Sequence, residues 1–202
     1  TLGVDENVIL VVHDWGSGLG FYWARRNEAA VAGIAYLEAN DAPRSWSQLS
    51  AEGRTFFERL RTDEGEQMAL IDNVFLQLGL PSGVIRELTE TELCEYRRPF
   101  LEPGEGRRPT LAWPNEIPFD GEPADVHDIV ATYAAWLDRT TVPKLLIDVS
   151  DGDPLQGELL DWARSFPNQT EVHVTGRHFA QEDSPHEIGE ALAKWIPTLD
   201  RT

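Results

Sequence analysis

Residues 11–18, VVHDWGSG, put a carboxylate at the junction between an apolar run and a helix. The run, VILVV at 8–12, is uninterrupted and rich in β-branched residues, which fits a strand buried on both faces as in a parallel sheet. A helix is expected from about 19 to 27. Gly16 follows Asp14 by two residues. That is the layout of a nucleophile elbow, a tight strand-to-helix turn that lifts one side chain above the sheet. The side chain lifted here is Asp14 rather than a serine, and a carboxylate there faces the N–H groups and positive dipole end of the helix. The plain alternative is that Asp14 only caps the helix, a position Asp favours. Two other groups stand at strand ends. Glu38 ends a second apolar run, VAGIAYL at 31–37, and ligands collect beyond such ends in open α/β sheets. His178 follows the last expected strand, 171–174. Without more, Glu38 reads as a solvated loop carboxylate and His178 as a structural histidine.

The elements that must position these residues are legible in outline. KLLIDV at 144–149 is a third strand, and an acidic turn, 148–154, follows it with Asp151 at its centre. The pattern DVSDGD faintly suggests a calcium loop, but the closing Glu and a flanking helix pair are missing, so a turn is expected and no metal site. Between 40 and 130 helical patterns are broken by Pro and Gly. Segments near 46–53, 54–61 and 63–78 read as helical, and TETE at 89–92 supplies a capping box for a helix ending before Pro99. Residues 103–123, rich in Gly and Pro, read as loop. Helices are expected over 125–138, 158–165 and 186–195. His13 should pack beside the elbow, and His127, His173 and His186 should be surface residues.

The chain of 202 residues is long enough for a sizeable core. No apolar stretch approaches a membrane span, so a soluble protein is expected, with a cytoplasmic location the default. The single cysteine, Cys94, leaves no internal disulfide. The formal charge of −18 makes nucleic acid and anionic membranes poor partners. The opening TLGVDEN reads as a loop feeding a strand rather than as a signal peptide or a natural start.

The segment HDWGSGLGFYWARRN resembles the nucleophile segment of the haloalkane dehalogenases, a branch of the α/β-hydrolase superfamily. The resemblance continues in order through GIAYLEA at 33–39, WPNEIPFDGEPADV at 113–126, VPKLL at 142–146 and RHFAQEDSPHEIG at 177–189. It implies an α/β-hydrolase fold, a mostly parallel sheet flanked by helices with an inserted helical cap. The core would comprise 1–39 and 116–202, and the cap 40–115. The family's first strands and its His-Gly-Asn loop have no counterpart here, so a complementary N-terminal segment of the same protein is expected to pair with the open edge of VILVV.

The same resemblance assigns roles. Asp14 is the nucleophile, Glu38 the acid that orients the base, and His178 the base, in the chain order of one subfamily; Asp151 falls near the place where other dehalogenases keep their acid. Trp15 matches the halide-binding tryptophan, and its backbone N–H one oxyanion donor. Phe56, Phe75, Gly79 and Gly83 match cap-side pocket positions, and Phe179 faces the same cavity. Substrates would be small halogenated alkanes, with water consumed, halide released and no cofactor needed. Four competing readings remain: an epoxide hydrolase using Tyr96 and Tyr133, a coelenterazine-type luciferase, an inactive fragment, and an interaction subunit.

Overall fold

A computed structural model describes residues 3–153 and 155–199; Thr1 and Leu2 of the opening stretch and Pro154 of the acidic turn lie outside them. The first elements are strand β1 (Val8–Asp14), helix α1 (Trp15–Arg26) and strand β2 (Val31–Ala39). Helices α2 (Ala51–Leu60), α3 (Glu90–Arg97) and α4 (Pro109–Asn115) come next. The chain closes with α5 (Ala124–Leu137), β3 (Lys144–Val149), α6 (Gly157–Arg164), β4 (Gln169–Val174), α7 (Ala180–Asp183) and α8 (Pro185–Trp195). None of the described helices is long and apolar enough to cross a membrane.

The strands form one sheet in the order β1-β2-β3-β4, every pair parallel. Alternation along β2 sorts its side chains. Ala35 and Leu37 join Leu145, Ile147, Val149 and Val174 under Ile188 and Trp195 of α8. Tyr36 points the other way, where its ring meets Phe21 of α1 edge-on at 5.8 Å; Phe21 in turn lies 5.7 Å from Tyr133 of α5. Gly33 faces α8 so closely that a Cβ there would stand 2.8 Å from the Trp195 ring and 2.9 Å from Leu199. Lys144 is fully buried at the start of β3, and its Nζ donates to the carbonyls of Thr140, Val142 and Pro167 at 2.8–2.9 Å. Burial pulls its pKa down to about 8, with the Glu28 charge opposing the fall.

β1 is less covered than its apolar sequence leads one to expect. It is the edge strand among the described residues, mostly half-buried, and Val11 is 51% exposed. α1 starts directly after Asp14, four residues earlier than the sequence pattern places it.

The chain divides into two compact units, one of residues up to Ala42 with those from Asp128 on, the other Pro43–His127. Within the second unit Phe119 bridges back to Arg44. Its regularity is low. The expected helix over 46–53 is a 3-10 turn, Trp46–Gln48, followed by the start of α2 at Ala51. The expected helix over 63–78 is helical in two stretches, Glu64–Glu66 running on without a gap into the π-helical Gln67–Ile71, and then the π-helical Phe75–Gly79, with Asn73 at positive φ in the break between them. The capping box at Thr89 forms as expected, through Glu92. Residues 103–123 are not all loop, since α4 lies within them with Pro109 at its first turn, where the missing N–H costs nothing. Two arginines satisfy the carbonyls this irregular backbone leaves over. Buried Arg107 donates to those of Leu70, Ile71, Phe100 and Leu101, and Arg61 to those of Phe57, Pro114 and Ile117.

The close approach at Gly33 sets a test of the core. Gly33→Val should lower stability by about 1–3 kcal/mol through overpacking. The urea midpoint should fall with little change in the slope of the transition.

Candidate active site

The parallel pairing of β1 with β2 creates two irregular points at the same level. After a shift between Val8 and Ile9, the register runs evenly from Ile9 opposite Gly33 to His13 opposite Leu37, then jumps so that Asp14 opposes Ala39 and Glu38 has no partner. A one-residue bulge of this kind re-aims a side chain. Both acids that it serves sit at positive φ, Asp14 at 46° and Glu38 at 45°. Residues without a glycine's freedom occupy that region only when their surroundings enforce it.

Asp14 stands at the N-cap position of α1, yet its side chain makes no capping hydrogen bond. The plain capping alternative therefore does not describe it. Its Oδ1 instead accepts from Nδ2 of Asn40 at 3.1 Å. The turn is tied down by Ser17, whose Oγ donates to the Asp14 carbonyl and accepts from the Asn40 N–H at 2.8 Å. The Asn40 carbonyl accepts from Tyr133 Oη. Trp15 opens α1, half-buried, with its ring against the bare Cα of Gly18.

Glu38 is 1% exposed, so the solvated-loop alternative fails for it. Its Oε2 accepts from the Asp153 N–H at 2.8 Å and lies 3.5 Å from His178 Nδ1. The second distance is longer than a good hydrogen bond, so Glu38 acts on the ring mainly as a nearby charge. Gly152 makes room for it: a Cβ there would come within 2.1 Å of Glu38 Oε1.

His178 lies between β4 and α7 on a loop held by several bonds. The Gly176 carbonyl accepts from the Asp151 N–H at 3.0 Å, and Ser184 Oγ donates to the Thr175 carbonyl at 2.6 Å. His13 Nε2 is 2.7 Å from the His178 carbonyl; a carbonyl only accepts, so His13 carries its proton on Nε2. The two imidazole rings are 4.7 Å apart, and Phe179 packs edge-on against His178 at 4.8 Å.

The electrostatics separate the two histidines. Burial pulls the pKa of His178 down, but the contact with Glu38 and the charges of Asp14, Glu38 and Asp153 outweigh it and raise it above the ordinary value. For His13, burial and the neighbouring His178 prevail and lower it. Of the two rings His178 is therefore the one that takes a proton more readily, while His13 donates through Nε2.

The structure thus brings Asp14, Trp15, Glu38, His178 and Phe179 to one unit, at the C-terminal ends of the strands. Asp151 is not among them: it is exposed on its turn, and the carboxylate after β3 whose charge reaches His178 is Asp153. Phe56 and Phe75 lie in the other unit, 5.6 Å apart and packed against its core of Leu60, Met68, Leu70 and Leu111. In that unit Gly79 sits against the Phe75 ring, and the Gly83 N–H returns to the Gly79 carbonyl. Tyr133 lies outside that unit and its hydroxyl is engaged by Asn40, which removes it as a donor to an epoxide. His173, read as a plain surface residue, is exposed but pairs with Asp148 at 2.9 Å. The turn over 148–153 gathers no metal-holding cluster among the described residues. Asn40, Ser17 and Gly152 were not found by sequence reasoning. The only signal for Asn40 was an amide two residues beyond a strand-end acid.

No family model matches the chain. A haloalkane dehalogenase of Sphingobium indicum is 48% identical over 198 residues, covering 98% of this chain and 67% of its own. The chain belongs to the haloalkane dehalogenase family. The crystal structure of a haloalkane dehalogenase from Bradyrhizobium elkani superimposes with a TM-score of 0.91 at 37% identity, over 97% of this chain and 68% of that one. The fold is therefore that of the α/β-hydrolases. A coelenterazine h 2-monooxygenase of Renilla reniformis is also similar, at 36% identity over 96% of this chain and 63% of its own. This dehalogenase-family chain spans about two thirds of the length of the curated relatives it matches.

The raised pKa of His178 can be read directly by NMR. In a pH titration its ring signals should turn over above the ordinary midpoint of about 6.5. Glu38→Gln removes one of the charges that favour the imidazolium and should move the midpoint down. An unmoved midpoint would detach Glu38 from the ring.

Proposed function

We propose that the protein hydrolyses haloalkanes to an alcohol and a halide through an ester on Asp14. The observation that carries this reading is the Asp14 carboxylate: it stands on a strained elbow without capping its helix, beside a histidine whose pKa its charge helps to raise. Asp14 attacks the carbon that bears the halogen, and the carbon–halogen bond breaks with its electron pair leaving on the halide. Water then attacks the ester carbonyl carbon while His178 takes its proton, and Glu38 holds the ring and balances the imidazolium. The proton returns to the departing alkoxide, which leaves as the alcohol. Trp15 donates its indole N–H to the halide and its backbone N–H to the ester oxygen. By the family resemblance the cap is the segment 40–115, in which Phe56, Phe75, Gly79 and Gly83 are its substrate-facing residues, while Phe179 follows the base in the core unit.

The apolar edge of β1 belongs to the same proposal. Its free N–H and C=O groups and the exposed Val11 call for a further strand, supplied by an N-terminal segment of the same protein. The Renilla relative favours one second reading, oxygenation of a coelenterazine-type substrate.

Asp14→Ala should abolish both halide release and adduct formation from 1,2-dibromoethane. His178→Phe should release about one halide per site and stall with a covalent adduct visible by mass. Glu38→Gln should slow turnover far more than Asp151→Asn; the opposite ranking would move the acid. Light from coelenterazine without halide release from any bromoalkane would favour the second reading. The 202-residue chain alone should associate through β1 and turn over poorly; a stable, active monomer would refute the need for a further strand.

A further inference from the structure

We propose that Asn40 is a further catalytic residue: its side-chain amide donates to the Asp14 oxygen that becomes the ester carbonyl, and so stabilises the oxyanion formed when water attacks that ester. The inference rests on the reading of Asp14 as nucleophile.

A carboxylate offers two oxygens, and only one is alkylated. Oδ1 of Asp14 is occupied by the Asn40 amide at 3.1 Å. A lone pair engaged by a donor is the poorer nucleophile, so Oδ2 attacks the substrate carbon and Oδ1 is left as the ester C=O. The donor then already lies on the atom where charge develops. Water adds to the carbonyl carbon and gives its proton to His178, the negative charge appears on Oδ1, and the bond from that carbon to Oδ2 breaks to release the alcohol. An amide placed at a developing oxyanion is worth most when it needs no reorganisation.

Asn40 meets that condition. Its backbone is held at both ends, the N–H by Ser17 Oγ at 2.8 Å and the carbonyl by the Tyr133 hydroxyl. Ser17 in turn donates to the carbonyl of Asp14 itself, so nucleophile and amide are fixed to each other through one hydroxyl. The residue is 7% exposed, which leaves little water to compete. Its place follows from the bulge at Glu38, two residues upstream. A structural asparagine would need only the backbone bonds, which any residue at position 40 keeps.

The test separates the two half-reactions in the full-length protein by rapid quench with 1,2-dibromoethane. Asn40→Leu keeps the shape without the donor, and Asn40→Ala serves if the larger side chain is not accommodated. Both should form the ester at the parent rate or faster, since a donor that favours the free carboxylate is gone. Both should hydrolyse it roughly 10²-fold more slowly, the loss typical of one oxyanion donor. An independent reading comes from the adduct trapped by His178→Phe. With carboxyl-labelled aspartate, the infrared ester carbonyl stretch should move to higher frequency when Asn40→Leu is added. Ester hydrolysis at the parent rate, or an equal slowing of both steps with an unmoved stretch, would overturn the role of Asn40. If the parent protein forms no adduct on Asp14, it is the nucleophile assignment that fails.

Discussion

A carboxylate removed from water must be met by donors, and much of the site follows from meeting that requirement at Glu38. The bulge in β2 turns its side chain inward, the Asp153 N–H donates to the carboxylate, and the His178 ring supplies the opposite sign when protonated. Three strand ends are thereby bound to one group: β2 carries the acid, the loop after β3 brings the amide, and the loop after β4 brings the imidazole. A parallel sheet makes this possible because all its C-terminal ends lie on one edge. Asp14 arrives at the same edge from β1, without direct contact with the acid, and its link to the rest runs through Asn40 and Ser17.

How far this was visible in the sequence depends on the range of the force concerned. The strands β2 and β3 were legible because continuous apolar runs are a local record of burial on a parallel sheet, and β1 was legible as a strand though not in its half-exposed setting. The elbow was legible because strand, acid, glycine and helix are consecutive. Glu38 was ambiguous by itself, since what makes it a buried acid is a register jump between two strands, and one strand's sequence does not encode the alignment with its neighbour. Asn40 was overlooked because its partners, Ser17 and Tyr133, are 23 and 93 residues away. The helical segments between 43 and 127 were read too regularly. Their breaks are held by arginines donating to distant carbonyls, a form of support that leaves no periodic trace.

The two histidines show how position along the sheet divides labour between like groups. His13 and His178 have rings in contact and share burial, but only His178 has Glu38 beside it. His13 donates to the backbone of its neighbour and, held neutral, does not compete for the proton. A pair of equal imidazoles would share the charge; unequal surroundings favour it on one ring.

Gly152 gives the acid's address a history. Room for the Glu38 carboxylate exists only because residue 152 has no side chain, so the ends of β2 and β3 compete for one volume. A Cβ at residue 152 would stand 2.1 Å from Glu38 Oε1, so no side chain can be gained there while the carboxylate keeps its place. Residue 38 has to shrink before residue 152 can grow. The two positions can therefore change only in that order, and excluded volume keeps residue 152 a glycine for as long as residue 38 is a glutamate.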